Sequence, residues 1–347
     1  QISAGKARVV IVGNSEAPIN QECIDGYGAM GALATEEGLR QLEGKQPSDP
    51  SEVDWRRASR PFGQNCGFTL AESAQFVVLM DDALALQLGA EVHGAVTDVF
   101  INADGFKKSI SAPGPGNYLT MAKAVASAIQ IVGEDSVRQH SFVHAHGSST
   151  PANRVTEPEL LDRIAATFGI HAWPVTAAKA YVGHSLASAS ADQLVSALGS
   201  FKYQIIPGIK TIDAIADDVH QQHLRISTTN TRRDEQPLEV CFINSKGFGG
   251  NNASAVVLAP QVVDRMLEKR YGAQRFADYC ALREHTRAAA SRYDQQAQTG
   301  QFNILYNFGN DQIDDQQLQM TAQQIQVPGF RQPLVFSKDP RFSDMLD

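Results

Sequence analysis

SFVHAHGSSTP, residues 141–151, starts as a four-residue strand, Ser141 to His144, and breaks into the polar loop Ala145-His146-Gly147-Ser148-Ser149-Thr150-Pro151. The strand delivers a histidine to a loop of glycine and hydroxyl residues. Downstream, Glu157 to Phe168 reads as a helix, and Leu186 to Phe201 as another with Leu194, Leu198 and Phe201 on its buried stripe. Upstream, Asn117 to Val132 is a longer helix whose Val125, Ile129 and Val132 share a face; Pro113 and Gly114 to Gly116 punctuate the loop before it. Earlier lie three β-rich runs, Ala7 to Val12, Ala74 to Met80 and one within Val92 to Phe100, with a short helix from Asp81 to Leu88 stopping near Gly89. Glu239 to Asn244 and Ala253 to Leu258 are strands flanking the glycine-rich turn Gly247 to Gly250. Strands and helices alternate to about residue 259, the pattern of a layered α/β fold.

The 347 residues suffice for a large core and more than one structural unit. Hydrophobic residues at 43% and charged residues at 20% are ordinary for a soluble globular protein. No apolar run is long enough to span a bilayer, so no membrane partner is expected. Gln1 to Lys6 do not read as a secretion signal. They read as the end of an amphipathic helix running into a strand, so the chain is expected to begin in mid-fold. A net charge of −8 argues against nucleic acid as a partner. It still allows a local basic patch to meet an acidic protein. Cys23, Cys66, Cys241 and Cys280 form no CxxC pair and no zinc spacing, so no metal is expected, and their scatter fits a reducing cytoplasm. From Pro260 the character shifts. Val262 to Arg292 is helical and charged, broken at Gly272, and Asp294 to Gln326 is rich in Gln and Asp. This largely helical extension is expected to pack on the main body or on a partner subunit.

Two further segments bear on chemistry. Lys179-Ala180-Tyr181-Val182-Gly183-His184 leads into the small-residue run Ser185 to Ala191, and Asn244-Ser245-Lys246-Gly247-Phe248-Gly249-Gly250-Asn251-Asn252 is a tight turn between strands. Each alone has a bland reading. A histidine after a strand is usually a satisfied structural residue, a GFGG turn is usually a hairpin that needs positive φ, and small residues in a helix usually mean close packing. Together, and in this order with the 145–151 loop, they are specific. They resemble the His-Gly-Thr, Lys…Gly-His and Gly-Phe-Gly-Gly motifs of β-ketoacyl-acyl carrier protein synthases. Ser59-Arg60-Pro61-Phe62, followed by Gly67-Phe68 and Glu72, resembles another signature of that family. The resemblance covers roughly residues 1–259.

The resemblance implies the thiolase-like αβαβα fold, here with residues 1–95 as the end of its N-terminal half, 96–259 as its C-terminal half and 260–347 as an extension. It implies a decarboxylative Claisen condensation between an acyl primer and malonyl-carrier in fatty acid synthesis. His146 and His184 would bind the malonyl thioester carbonyl, Lys179 would organise the site electrostatically, and Phe248 would gate it between acyl loading and condensation. Ser148, Thr150 and Gly249 would contact the substrate, the two hydroxyls by hydrogen bonds to its pantetheine arm. No metal or organic cofactor is implied beyond that phosphopantetheine arm.

The family's nucleophilic cysteine has no match among the four cysteines, so the nucleophile-bearing N-terminal part is expected to be absent from this chain. A bound N-terminal fragment of the same enzyme, a homodimer, an acyl carrier protein and an acyl-CoA or acyl-carrier primer are the implied partners. Arg56, Arg57, Lys107 and Lys108 are basic candidates for carrier docking. Three positions depart from the family pattern. Arg154 stands where an acid is usual, although Glu157 is kept; Gln193 replaces a second acid, with Asp192 beside it; Lys246 replaces a commonly apolar residue. The first two are expected to alter the field around Lys179 and the histidines. These changes and the tail resemble the longer bacterial synthases that initiate from a short acyl-CoA. The competing expectation is a non-catalytic partner subunit akin to a chain-length factor, against which the intact histidine motifs argue.

Overall fold

The computed structural model describes residues 1–46, 48–107, 114–301, 308–310, 312–336 and 345. Lys108 and Pro113, named above, lie outside them. Contacts divide the chain into two units, Gln1–Arg287 and Ala288–Asp347.

The first unit opens with a turn. Lys6 N donates to Gln1 O and Gly5 N to Ile2 O, with Gly5 at φ +67°, the paired bonding of a helix C-terminal cap. Strand β1 (Val9–Glu16) follows, then helices α1 (Gln21–Ala29) and α2 (Glu36–Leu42), strand β2 (Ser73–Met80) and helix α3 (Asp82–Leu88). β1 and β2 pair antiparallel as a two-stranded ribbon. Next come β3 (Ala95–Ala103), α4 (Gly116–Val132), α5 (Glu134–His140), β4 (Ser141–His144), α6 (Pro151–Phe168), β5 (Trp173–Thr176), α7 (Lys179–Val182) and α8 (Ala189–Tyr203). β6 (Ile205–Ile206), β7 (Leu224–Ile226), β8 (Thr231–Arg232), β9 (Val240–Gly247) and β10 (Asn251–Leu258) complete the α/β region, before α9 (Pro260–Tyr271) and α10 (Ala273–Gln298).

The main sheet has six strands in the order β3-β10-β9-β4-β5-β7. β10 runs antiparallel to both its neighbours, whereas β9, β4, β5 and β7 are mutually parallel. Parallel strands must be buried on both faces, and here they are. α4 lies on one face with α6 against it, and α8 lies on the other. Along β9 the side chains alternate. Asn244 points to α4 and α6, where it meets Asn117 and Glu157; Ser245 points to α8, where it meets Gln193. The far side of α8 meets β2, so the layers run helix, sheet, helix, ribbon. That is four of the five expected layers among the described residues. The outer face of the ribbon carries Ile11, Phe76 and Val78 at 72, 64 and 61% exposure.

Several boundaries differ from expectation; β1 runs on to Glu16, and β9 and β10 extend to Gly247 and Asn251 at the hairpin, while three other differences have local reasons. α6 begins at Pro151 rather than Glu157, because Thr150 caps it and proline suits its first turn. α8 begins at Ala189 rather than Leu186, because Leu186 sits at φ 49° and starts a short 3-10 turn. Among the described residues the α-helices of the extension end at Gln298, and only a short 3-10 turn, Asp315–Gln317, follows. Beyond it, β11 (Gln319–Met320), β12 (Gln324–Gln326) and β13 (Leu334–Val335) form a three-stranded antiparallel sheet, so "largely helical" fails for the second unit. Its strands are two or three residues long and too short for any periodicity to show.

The extension's first part belongs to the main body. Gly89 ends α3 at φ +62°, and a Cβ there would lie 2.6 Å from Leu282 Cβ of α10, so the backbone packs directly on that helix. Tyr279, buried, donates its hydroxyl to Ala90 O at 2.9 Å, and Arg283 grips Asp264 at 2.9 and 3.1 Å with its guanidinium over the Tyr279 ring. Tyr279→Phe is expected to lower unfolding stability by about 1–2 kcal/mol, read as a smaller urea midpoint with an unchanged slope.

Candidate active site

The 145–151 loop leaves β4 between β9 and β5, and its backbone is held in unusual conformations. Gly147 has φ +49° and Ser149 φ +63°, and a Cβ on Gly147 would lie 2.5 Å from Ala177 Cβ. Such strain persists only where neighbours fix it. Here the fully buried Glu157 accepts four hydrogen bonds: from His146 N at 2.7 Å, Gly147 N at 2.8 Å, Asn153 Nδ2 at 2.8 Å and Asn244 Nδ2 at 2.6 Å. Ser149 Oγ accepts from Arg60 N and donates to Gly67 O, both at 2.7 Å. Ser59 Oγ donates to Lys179 O at 2.6 Å. The Ser59–Phe68 segment is therefore bonded to both the 145–151 loop and α7.

The structure brings His146, Lys179 and His184 together. The two imidazoles stand 5.4 Å apart between centroids, nearly perpendicular at 79°. Lys179, buried on α7, donates to His146 O at 2.6 Å and lies 3.5 Å from His146 Nδ1. His146 Nδ1 also receives Lys246 N–H at 3.3 Å, and His184 Nδ1 receives Leu186 N–H at 3.1 Å. In both rings Nδ1 is thus an acceptor, which leaves the proton of a neutral imidazole on Nε2.

Neutrality follows from the surroundings. Burial, then the Lys179 charge, pushes His184 down to about 2. Desolvation, followed by Lys179, His184 and Lys246, holds His146 well below the ordinary histidine range. Burial lowers Lys179 to about 8, while Glu157 and Asp192 favour its charge. A third histidine, His144, is buried and lowered to about 3 by burial and Lys179, but its Nε2 pairs with Ser196 Oγ at 2.9 Å inside the core, apart from the other two.

Phe248 sits at the tip of the β9–β10 hairpin, half exposed, with Gly249 and Gly250 at φ +84° and +91°. Its ring touches Tyr27 of α1 at 5.8 Å, Tyr27 touches Phe68 at 5.5 Å, and Phe68 touches His184 at 5.0 Å. Tyr27 was not singled out in the sequence, where it stands in a glycine-flanked helix without a motif. Ser148 Oγ and Thr150 Oγ1 pair at 3.1 Å, and Thr150 also caps α6. Gly249 has open space beside it.

Two of the three departures find physical accounts, and nothing in the structure explains the Lys246 side chain. Arg154 turns its guanidinium to Asp218 at 2.6 Å and to Gln64 and Asn65. It ties the first turn of α6 to the 59–65 loop, and Lys179 takes its counter-charges from Glu157 and Asp192 instead. Gln193 donates to three backbone carbonyls. Of the docking candidates, Arg56 pairs with Asp54, Arg57 with Asp213, and Lys107 with Asp104. Cys241 is buried in β9 with its thiol pushed strongly up, and burial also raises Cys66. Among the described residues no His, Cys, Asp and Glu cluster could hold a metal.

Residues 93–213 match the family described as Beta-ketoacyl synthase, C-terminal domain. The chain is 72% identical over 346 residues to the beta-ketoacyl-[acyl-carrier-protein] synthase FabY of Pseudomonas aeruginosa, covering all of this chain and 54% of that protein. The crystal structure of that noncanonical ketosynthase superposes with a TM-score of 0.92, covering 99% of this chain and 53% of the other. A type II polyketide ketosynthase in complex with its acyl-carrier protein, AntDE:AntF, superposes at 0.60 with 21% identity over 74% of this chain and 57% of its own, a likeness of fold alone. The chain thus spans about half the length of the relatives it matches, and its expected α/β thiolase-like fold is the fold it has. Motif order, paired histidines and sequence identity converge: residues 93–213 carry the C-terminal domain of the β-ketoacyl synthases, and the chain as a whole is similar to about half of one such enzyme.

Proposed function

We propose that this chain carries the decarboxylating half of a β-ketoacyl-acyl carrier protein synthase, joining an acyl primer to malonyl-carrier in fatty acid synthesis. One observation carries the reading: two neutral imidazoles 5.4 Å apart, each with Nδ1 bonded to a backbone N–H, leave two Nε2–H donors. A malonyl thioester losing carbon dioxide pushes the electron pair of the breaking carbon–carbon bond onto its carbonyl oxygen. Two fixed N–H donors stabilise that enolate without yielding a proton. The enolate carbon then attacks an acyl thioester. The adduct's oxyanion falls to main-chain N–H groups, one of them beside Phe248.

The attack needs an acyl group held on a thiolate. Cys241 is sealed in β9 and Cys66 is raised by burial, while the related synthase is nearly twice as long as this chain. We therefore assign the nucleophile to residues outside this sequence, in a partner segment of the same enzyme that would also cover the ribbon's apolar face. A homodimer, an acyl carrier protein, a short acyl-CoA primer and a cytoplasmic setting belong to the same reading. The carrier is supported by a carrier-bound ketosynthase of the same fold. Among the described residues no helix is long and apolar enough to cross a membrane. The two halves divide at residues 95/96, one residue into β3 (Ala95–Ala103), the strand with which the six-stranded sheet starts.

The test is carbon dioxide release from malonyl-carrier by the intact protein across pH. Histidines this far below their ordinary range stay neutral from pH 5 to 8, so no acid limb arises from them. Release should hold through that range and fall as pH rises past about 8, where Lys179 loses its proton. A rising limb near pH 6 would sink the neutral-imidazole reading. A stable protein that releases no carbon dioxide would instead favour the non-catalytic partner-subunit alternative.

A further inference from the structure

We propose that the consecutive residues Asp192 and Gln193, in the first turns of α8, are positioning residues that brace the two histidine loops against each other. The inference rests on the decarboxylase reading above and adds residues that touch no reacting atom.

Gln193 is 1% exposed. Its Nε2 lies 2.7 Å from Ala145 O, 3.0 Å from His144 O and 3.0 Å from Asn244 O, and its Oε1 accepts from Ser245 Oγ at 3.1 Å. One amide therefore joins the end of β4 to β9. The residue after Ala145 is His146, and the residue after Ser245 is Lys246, whose N–H reaches His146 Nδ1. Gln193 thus fixes the spacing that sets the tautomer of His146.

Asp192 faces the other loop. Its Oδ2 accepts from Ser185 Oγ at 2.5 Å, next to His184, and its Oδ1 accepts from Ser73 Oγ at 2.6 Å and Gln75 Nε2 at 3.1 Å on β2. A single rigid helix so holds both histidines, from opposite sides of one peptide bond. Asp192 also shares with Glu157 the task of facing the Lys179 ammonium. The charged or titratable groups around that ammonium are His144 and His146 from β4 and its loop, Glu157 from α6, His184 beyond α7 and Asp192 from α8; Lys246 acts on His146 from β9.

The Gln193 amide has two hydrogens for three carbonyls, and an ionised carboxylate would have none. Gln193→Glu sets a negative charge against three carbonyl oxygens, which raises its affinity for a proton; the protonated acid regains one donor. In the intact protein, Gln193→Glu is expected to lower kcat for carbon dioxide release about 10–100-fold at pH 8, with KM for malonyl-carrier little changed. Its rate should recover as pH falls toward 5, a limb wild type lacks. Gln193→Leu should not recover at any pH. Asp192→Asn keeps the side-chain shape and one acceptor oxygen but removes the charge facing Lys179, so the alkaline limb should move to lower pH. It also serves as the second variant should Gln193→Glu fail to fold. A wild-type rate and profile in Gln193→Glu, or an unmoved alkaline limb in a folded Asp192→Asn, overturns the brace. Loss of release in wild type itself would bring down the functional reading instead, so the two failures are told apart.

Discussion

His184→Ala is expected to cut carbon dioxide release from malonyl-carrier about 100–1000-fold, the loss seen when one oxyanion donor is removed from an acyl-transfer site. The structure gives His184 little else to do. Its ring packs on Phe68, its Nδ1 is used by Leu186 N–H, and no acceptor among the described residues takes its Nε2–H. KM should move less than kcat, because the donor matters most once charge has developed on the oxygen. The sequence supplies its own control. His144 lies two residues before His146 but is buried against Ser196, so changing it should cost stability rather than the chemical step. An unchanged rate in a folded His184→Ala protein would remove the enolate role from this residue.

Glu157→Ala should be the most damaging single change to stability, about 3–5 kcal/mol. It strips four donors of their acceptor at once: two main-chain N–H groups of the strained 146–147 loop and the amides of Asn153 and Asn244. It also leaves buried Lys179 with only Asp192 as a facing carboxylate. Urea unfolding reads the loss directly. Glu157→Gln should cost less, since one oxygen still accepts, although its amide hydrogens confront donors. A midpoint within experimental scatter of wild type for Glu157→Ala would show that the loop conformation is fixed elsewhere.

The three motifs and their convergence could be read in the sequence because each is short and contiguous: a histidine loop after a strand, a lysine five residues before a second histidine, a glycine turn between strands. The structure brings His146, Lys179 and His184 into contact. The helices of long apolar period were likewise visible. Other elements left weaker marks. β5 is a four-residue strand buried in a parallel sheet, where alternation is lost. α1 contains Gly26 and Gly28, whose low helix propensity hides it. Tyr27 and Gln193 matter through side chains that meet distant segments, and no local pattern announces such meetings. Gln193 looked like a lost acid; only the three carbonyls around it show why an amide belongs there. Arg154 looked like a change in the field at the histidines, but its charge is taken by Asp218.

The β9–β10 ladder runs unbroken in register from Val240 opposite Leu258 to Gly247 opposite Asn251, and β10 is flanked on its other side by β3. Anything that moves at the tip is therefore confined to Phe248, Gly249 and Gly250. Excursions of so short a loop take nanoseconds to microseconds, whereas turnover in enzymes commonly takes about a millisecond to a second. The aromatic tip would visit its accessible positions thousands of times in each catalytic cycle. The ring would then act as an equilibrated valve, set by the relative energies of its positions, and its swing would not limit the rate.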